Sequence, residues 1–82
     1  MAKQGKRAQE FFSGTGNMTK RFASDREELV VINDGAADLT FRAGAIQFTL
    51  KPSEVFDEEI NPFSEIEVTA TGAYRGYVRE AY

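Results

Sequence analysis

The chain has 82 residues, ten basic and thirteen acidic side chains, a formal net charge of −3, and neither cysteine nor histidine nor tryptophan. That length allows one small domain, which buries only about 60% of the surface its unfolded form exposes. The composition excludes disulfides, nucleophile systems built on histidine or cysteine, and the usual zinc, copper, haem and iron–sulfur ligand sets, and the chain has no apolar run near the roughly 18 residues of a membrane span.

Charge is unevenly distributed. Residues 1–24 carry five basic side chains (Lys3, Lys6, Arg7, Lys20, Arg21) against Glu10 alone, whereas residues 25–82 carry five basic and twelve acidic ones. A basic N-terminal arm on an acidic body can reach toward an anionic surface, including the body of a neighbouring copy. The start of the chain has no apolar segment of the secretory kind, so synthesis inside a cell is the expectation. Up to about residue 17 there is little periodicity, and Ser13-Gly14-Thr15-Gly16-Asn17 reads as a flexible link. The expected division is therefore a basic arm with a glycine-containing linker over residues 1–24 and a β-domain over residues 25–82. Phe11 and Phe12 in the arm are docking aromatics, either onto the protein's own sheet or into a partner.

Strands follow. Residues 19–23 can make a first strand with Phe22 as its apolar member, and residues 28–33, with Leu29, Val30, Val31 and Ile32 in succession, read as a strand buried on both faces. Asn33-Asp34-Gly35 signals a tight hairpin into residues 38–42. Ala43-Gly44 signals a second, into residues 45–51, where Ile46, Phe48 and Leu50 alternate inward. Pro52-Ser53 interrupts pairing before a short strand at residues 54–57, and Asn61-Pro62 marks another corner. Residues 64–71 place Ile66, Val68 and Ala70 inward. Residues 73–79 place Tyr74, Gly76 and Val78 on one face and Arg75, Tyr77 and Arg79 on the other. Six to seven short strands with regularly spaced turns predict an all-β fold, a small antiparallel β-sandwich with an extended N-terminal arm. The expected core is Leu29, Val31, Leu39, Phe41, Ile46, Phe48, Leu50, Phe56, Phe63, Ile66, Val68 and Val78. Small sandwiches have open edges, so a homo-oligomer is expected.

Chemical motifs are few. Glu54 with Asp57-Glu58-Glu59 lacks the alternating ligands and central glycine of a calcium loop and reads as a solvated acidic turn. Gly14-Thr15-Gly16 matches neither the dinucleotide nor the phosphate-loop fingerprint. No catalytic residue, cofactor or metal site is expected. Two groups remain as candidates for binding. The arm set comprises Lys3, Lys6, Arg7, Phe11, Phe12, Lys20, Arg21 and Phe22, where contact with another subunit is favoured. Arg75, Tyr77 and Arg79 form a basic and aromatic stripe that can stack a sugar or a base, or can pair with Glu65 and Glu67 on a neighbouring strand. The acidic body opposes nucleic acid.

Residues 31–41, residues 48–58, Pro62-Phe63 and residues 68–75 resemble small β-sandwich proteins of tailed bacteriophage virions, and the likeness spans about residues 28–80. The resemblance implies a non-enzymatic particle component, such as a capsid decoration or cement protein, a head-fibre base or a tail accessory domain. Its partners would be copies of itself and the major capsid or tail protein, and its location the virion. No catalytic residues come with the resemblance. A carbohydrate-binding adhesion module using Tyr74, Tyr77 or Tyr82 and flanking arginines is the alternative.

Overall fold

A computed structural model describes residues 6–81, with side chains from residue 7 to residue 80. Six strands follow in chain order: β1 (Lys6–Thr15), β2 (Met18–Asn33), β3 (Leu39–Ala43), β4 (Ile46–Leu50), β5 (Val55–Thr69) and β6 (Ala73–Ala81). They form one antiparallel sheet in the order β1-β6-β2-β5-β3-β4. The all-β expectation holds.

Two strands are long, and both turn a corner. A straight strand as long as the 16-residue β2 would span about 50 Å, but both ends of β2 meet the same loop. Met18 lies opposite Val68 and Asn33 opposite Tyr74; the Gly16 amide donates to the Gly72 carbonyl (3.4 Å) and the Asp34 amide to the Ala73 carbonyl (3.0 Å). Register shifts on both sides of Arg26 locate the bend in β2. In the facing stretch of β5, Pro62 has no amide to offer a ladder, which suits it to a bend. The sheet is thus folded into two leaves that share β2 and β5. The first leaf contains β1, β6, residues 28–33 and residues 55–59; the second contains residues 18–21, residues 63–69, β3 and β4.

The core lies between the leaves. Leu29, Val31, Phe56, Tyr74 and Val78 of the first meet Leu39, Phe41, Leu50, Ile66 and Val68 of the second in one cluster. Each large apolar side chain fully buried there contributes about 1.5–3 kcal/mol. Ten of the twelve expected core residues are buried. Ile46 is only partly covered, and Phe48 is 46% exposed because β4 is the outer strand of its leaf. The core also takes in Phe12, Phe22, Ala43, Ala70 and Tyr74.

Several sequence expectations are corrected. Residues 6–15, expected as an arm beside the core, lie in the sheet as β1, paired with β6, while the strand expected at residues 19–23, with Phe22 buried, forms as the start of β2. The boundary expected between residues 24 and 25 therefore falls inside a strand. The link of Ser13 to Asn17 shrinks to a two-residue turn at Gly16-Asn17, where Gly16 has φ +92° and Asn17 Oδ1 accepts from the Ala70 amide (3.1 Å). The hairpin expected at Asn33-Asp34-Gly35 does not form, since β2 already has β5 and β6 as neighbours and β3 pairs with β4 and β5. Asn33 is instead a buried hub. Its Oδ1 accepts from the Gly35 amide (2.9 Å), and its Nδ2 donates to the carbonyls of Ala37 (2.9 Å) and Leu50 (3.1 Å). The hairpin between β3 and β4, with Gly44 at φ +59°, forms as expected.

Candidate functional site

Alternation along three strands builds the outer face of the first leaf. Cross-strand rows place Ser13, Arg75, Ile32 and Val55 side by side, then Tyr77, Val30 and Asp57, then Ala8, Arg79, Glu28 and Glu59. A register shift in β1 between Gln9 and Phe12, with Glu10 at φ +51°, is a bulge that turns Phe11 outward. Phe11 is 68% exposed, and its ring centroid lies 5.1 Å from that of Tyr77, tilted by 47°. Phe11, Ser13, Ile32, Arg75 and Tyr77 line an open groove of about 320 Å³.

Both arginines of this face are engaged. Arg75 binds Asp34 through Nε (2.6 Å) and Nη2 (3.2 Å), and Arg79 binds Asp57 through Nη1 (2.6 Å) and Nη2 (3.2 Å). Such two-pronged pairs fix side-chain geometry as well as charge. Arg79 also lies over the Tyr77 ring, 5.5 Å from its centroid, and it holds the Asp57 carboxyl below the usual carboxylate range. The Arg79–Asp57 pair runs from β6 to β5 across the intervening β2. Together with Tyr77 it explains why Val30, on the outer side of β2, is 2% exposed. The pairing considered from sequence, of Arg75 and Arg79 with Glu65 and Glu67, does not occur, because β6 lies between β1 and β2 and does not touch that part of β5.

The arm set is dispersed. Phe12 and Phe22 are buried in the core, their ring centroids 6.4 Å apart and tilted by 60°. Lys20 lies over the Phe22 ring (5.9 Å), and Arg21 pairs with Glu65 (2.9 Å) on the second leaf. Arg7 is exposed on β1, where Lys6 begins the strand. Lys3 and Tyr82 lie outside the described residues. Of the eight arm residues, Phe12 and Phe11 line the groove with Arg75 and Tyr77, Phe12 from a buried position, so the exposed arm residue there is Phe11. Its adjacency to Phe12 in sequence hides this, since the two point to opposite faces. Ile32 was missed as a groove residue because an unbroken aliphatic run carries no alternation to separate its faces.

A second polar cluster pins β1 to the bend. The Arg26 side chain is 5% exposed and donates through Nη2 to Glu10 on β1, and through Nη1 to Glu80 on β6 and to Ser24 Oγ (3.1 Å). Its Nε has no acceptor among the described residues. The hydrogen bond from Arg26 is the main reason the Glu10 carboxyl is held below its ordinary value. No group of three or more carboxylates suited to a metal ion occurs among the described residues.

No family model and no curated protein matches the chain. Two solved structures are similar to it in shape. One is a cupin-2 domain containing protein from Shewanella frigidimarina NCIMB 400, 14% identical, with 100% of this chain and 74% of that one covered and a TM-score of 0.48. The other is a protein of unknown function from Rhizobium leguminosarum bv. viciae 3841, 17% identical, with 96% and 82% covered and a TM-score of 0.46. At these values neither likeness bears on what the chain binds.

Proposed function

We propose that the protein is a non-enzymatic structural component of a tailed-phage virion, of the decoration or cement type, that attaches to the capsid or tail lattice through the outer face of β1, β6 and β2. The observation that carries this reading is the Phe11–Tyr77 shelf, an exposed phenylalanine packed on a half-buried tyrosine of a hydrogen-bonded sheet, flanked by arginines already neutralised by aspartates. Aromatic anchors inside a polar rim are the usual energetic centre of a protein interface. Neutralised guanidinium groups make the same face a poor site for a phosphate backbone. The sequence likeness over residues 28–80 supports the virion setting, and the lack of histidine and cysteine fits a role without nucleophilic chemistry. Attachment to a lattice is multivalent, so each site can be weak.

The test is immunogold labelling of particles purified from the phage or prophage-bearing strain that encodes the chain. Gold on the particle surface, reduced in a Phe11→Ser/Tyr77→Ala variant that still folds, is the expected outcome; particles without label overturn the reading. The aromatic shelf beside planar Arg–Asp pairs also favours a second reading, a carbohydrate-binding module in which a sugar ring stacks on Tyr77. A glycan array separates the two: specific glycan binding lost in Tyr77→Ala, with no label on particles, selects the module.

A further inference from the structure

The first leaf has two open edges, and they are chemically opposite. β1 has β6 as its strand neighbour and residues 55–59 have β2, so among the described residues neither outer edge is paired. Such an edge presents a row of unpaired backbone donors and acceptors to any strand that fits. Asp57, Glu58 and Glu59 are exposed along the β5 edge, while Lys6 and Arg7 begin the β1 edge. The same edges hold two of the exposed large hydrophobic residues, both on the outer face: Phe11 on β1 and Val55, 55% exposed, on β5.

We propose that these edges complete each other in a second copy of the chain, the β5 edge of one copy pairing with the β1 edge of the next. Strand direction alternates across the leaf from β1 through β6 and β2 to β5. The next strand in the series must therefore run as β1 does, and the outer faces of the two copies then coincide. An offset of two residues from the rows within one copy sets Val55 against Phe11, Glu58 against Arg7 and Glu59 against Lys6. Opposite charges and apolar side chains facing each other across strands are the pairs that stabilise a sheet. Like edges cannot substitute, because two β5 edges would oppose acid to acid and two β1 edges base to base. The association is head to tail, and it closes into a ring or runs on as a filament according to the rotation between copies. The bulge at Glu10 confines the new ladder to the residues on either side of it. This inference rests on the reading of the protein as an assembling component, but it requires nothing of the lattice.

The test uses the full chain alone, by light scattering after size-exclusion chromatography at rising concentration and salt. The expected result is a mass at least about twofold above the monomer that falls as salt rises. Glu58→Lys/Glu59→Lys returns it to monomer, Lys6→Glu/Arg7→Glu does the same, and a chain carrying all four changes recovers the oligomer. Because the chain has no cysteine, single Phe11→Cys and Val55→Cys variants give a second readout under mild oxidation. Crosslinks form in their mixture and far less in either alone. A monomer at every concentration, an oligomer indifferent to both charge reversals, or crosslinking as strong within one variant as in the mixture each overturns the proposal. Gold labelling of particles is independent of this mass, so failure of the edge contact and failure of the particle reading are told apart.

Discussion

At Gly76 a methyl group has nowhere to go. A Cβ there would lie 2.3 Å from Phe12 Cζ and 2.5 Å from the Val30 carbonyl oxygen. The aromatic ring of β1 rests where β6 has no side chain, which lets the outer strand lie flat on the leaf. Gly76→Ala is expected to lower stability by about 1–3 kcal/mol, as overpacking does, and Phe12→Leu should not rescue it, because the Val30 carbonyl is backbone and cannot rotate away. Thermal unfolding of the single and double variants checks this. Asn33 is the second such residue. Asn33→Ala strips partners from two carbonyls and one amide around a side chain that is 2% exposed, and about 2–3 kcal/mol should be lost in urea titration. The first of these constraints was not visible in the sequence, since which residue covers a strand glycine depends on which strand becomes its neighbour. For Asn33 the turn signal is visible, but the same residues suit a hairpin and a loop held by a buried amide, and the fold uses the loop.

β1 is an element that the sequence presented as a tail and the fold uses as a strand. Its attachment at the bend depends on charge. The Arg26 hydrogen bond holds the Glu10 carboxyl below the ordinary value of 4.5, with the Ala23 amide and the charges of Arg26 and Lys20 acting in the same direction and desolvation acting against them. A folded-state pKa below the unfolded one means stabilisation that is fully present above about pH 4.5 and is lost as pH falls through the folded value. The protection of β1 amides relative to their intrinsic exchange rates should therefore fall on acidification from about pH 7 to about pH 3, and Glu10→Gln should flatten that response. Arg26→Ala leaves Glu10 and Glu80 without their counter-ion. Their side chains keep 22% and 45% exposure, so the cost should be at most about 3 kcal/mol, short of the roughly 3–5 of a fully buried pair. Removing residues 1–24 excises β1, half of β2 and the core residues Phe12 and Phe22. That shortened chain is expected to lose cooperative unfolding, as circular dichroism during a urea titration would show.

For the whole molecule, the two leaves differ in what they leave open. The first presents the Phe11–Tyr77 shelf and two edges of opposite charge; the second ends on β4, where Phe48 leans on Phe41 and Phe56 at 6.2 and 5.1 Å. A single small core explains the division of labour among aromatics: Phe12, Phe22, Phe41, Phe56 and Phe63 fill the space between the leaves, while Phe11 points away from it. Phe11→Ser should therefore leave the melting temperature within about 2 °C of the parent, whereas Phe22→Ala, which opens a cavity worth about 3–5 kcal/mol, should lower it by well over 10 °C. Differential scanning calorimetry of the two variants tests whether Phe11 serves binding and not folding.

Composition, strand periodicity and turn residues by themselves determined the fold class, most of the core and the outward stripe of Arg75, Tyr77 and Arg79. These depend on the alternation of side chains along one strand, which is a local property. Which strands become neighbours is not local. Only the folded chain decided that β1 lies on β6, that β2 and β5 each bend through both leaves, and that Phe11 joins Tyr77. The physical reason is that hydrogen bonding between strands is much the same for any sequence. The partner of a strand is therefore chosen by packing: by a ring that fits over Gly76, by a buried amide at Asn33, and by an arginine at the bend with a carboxylate on each of two other strands.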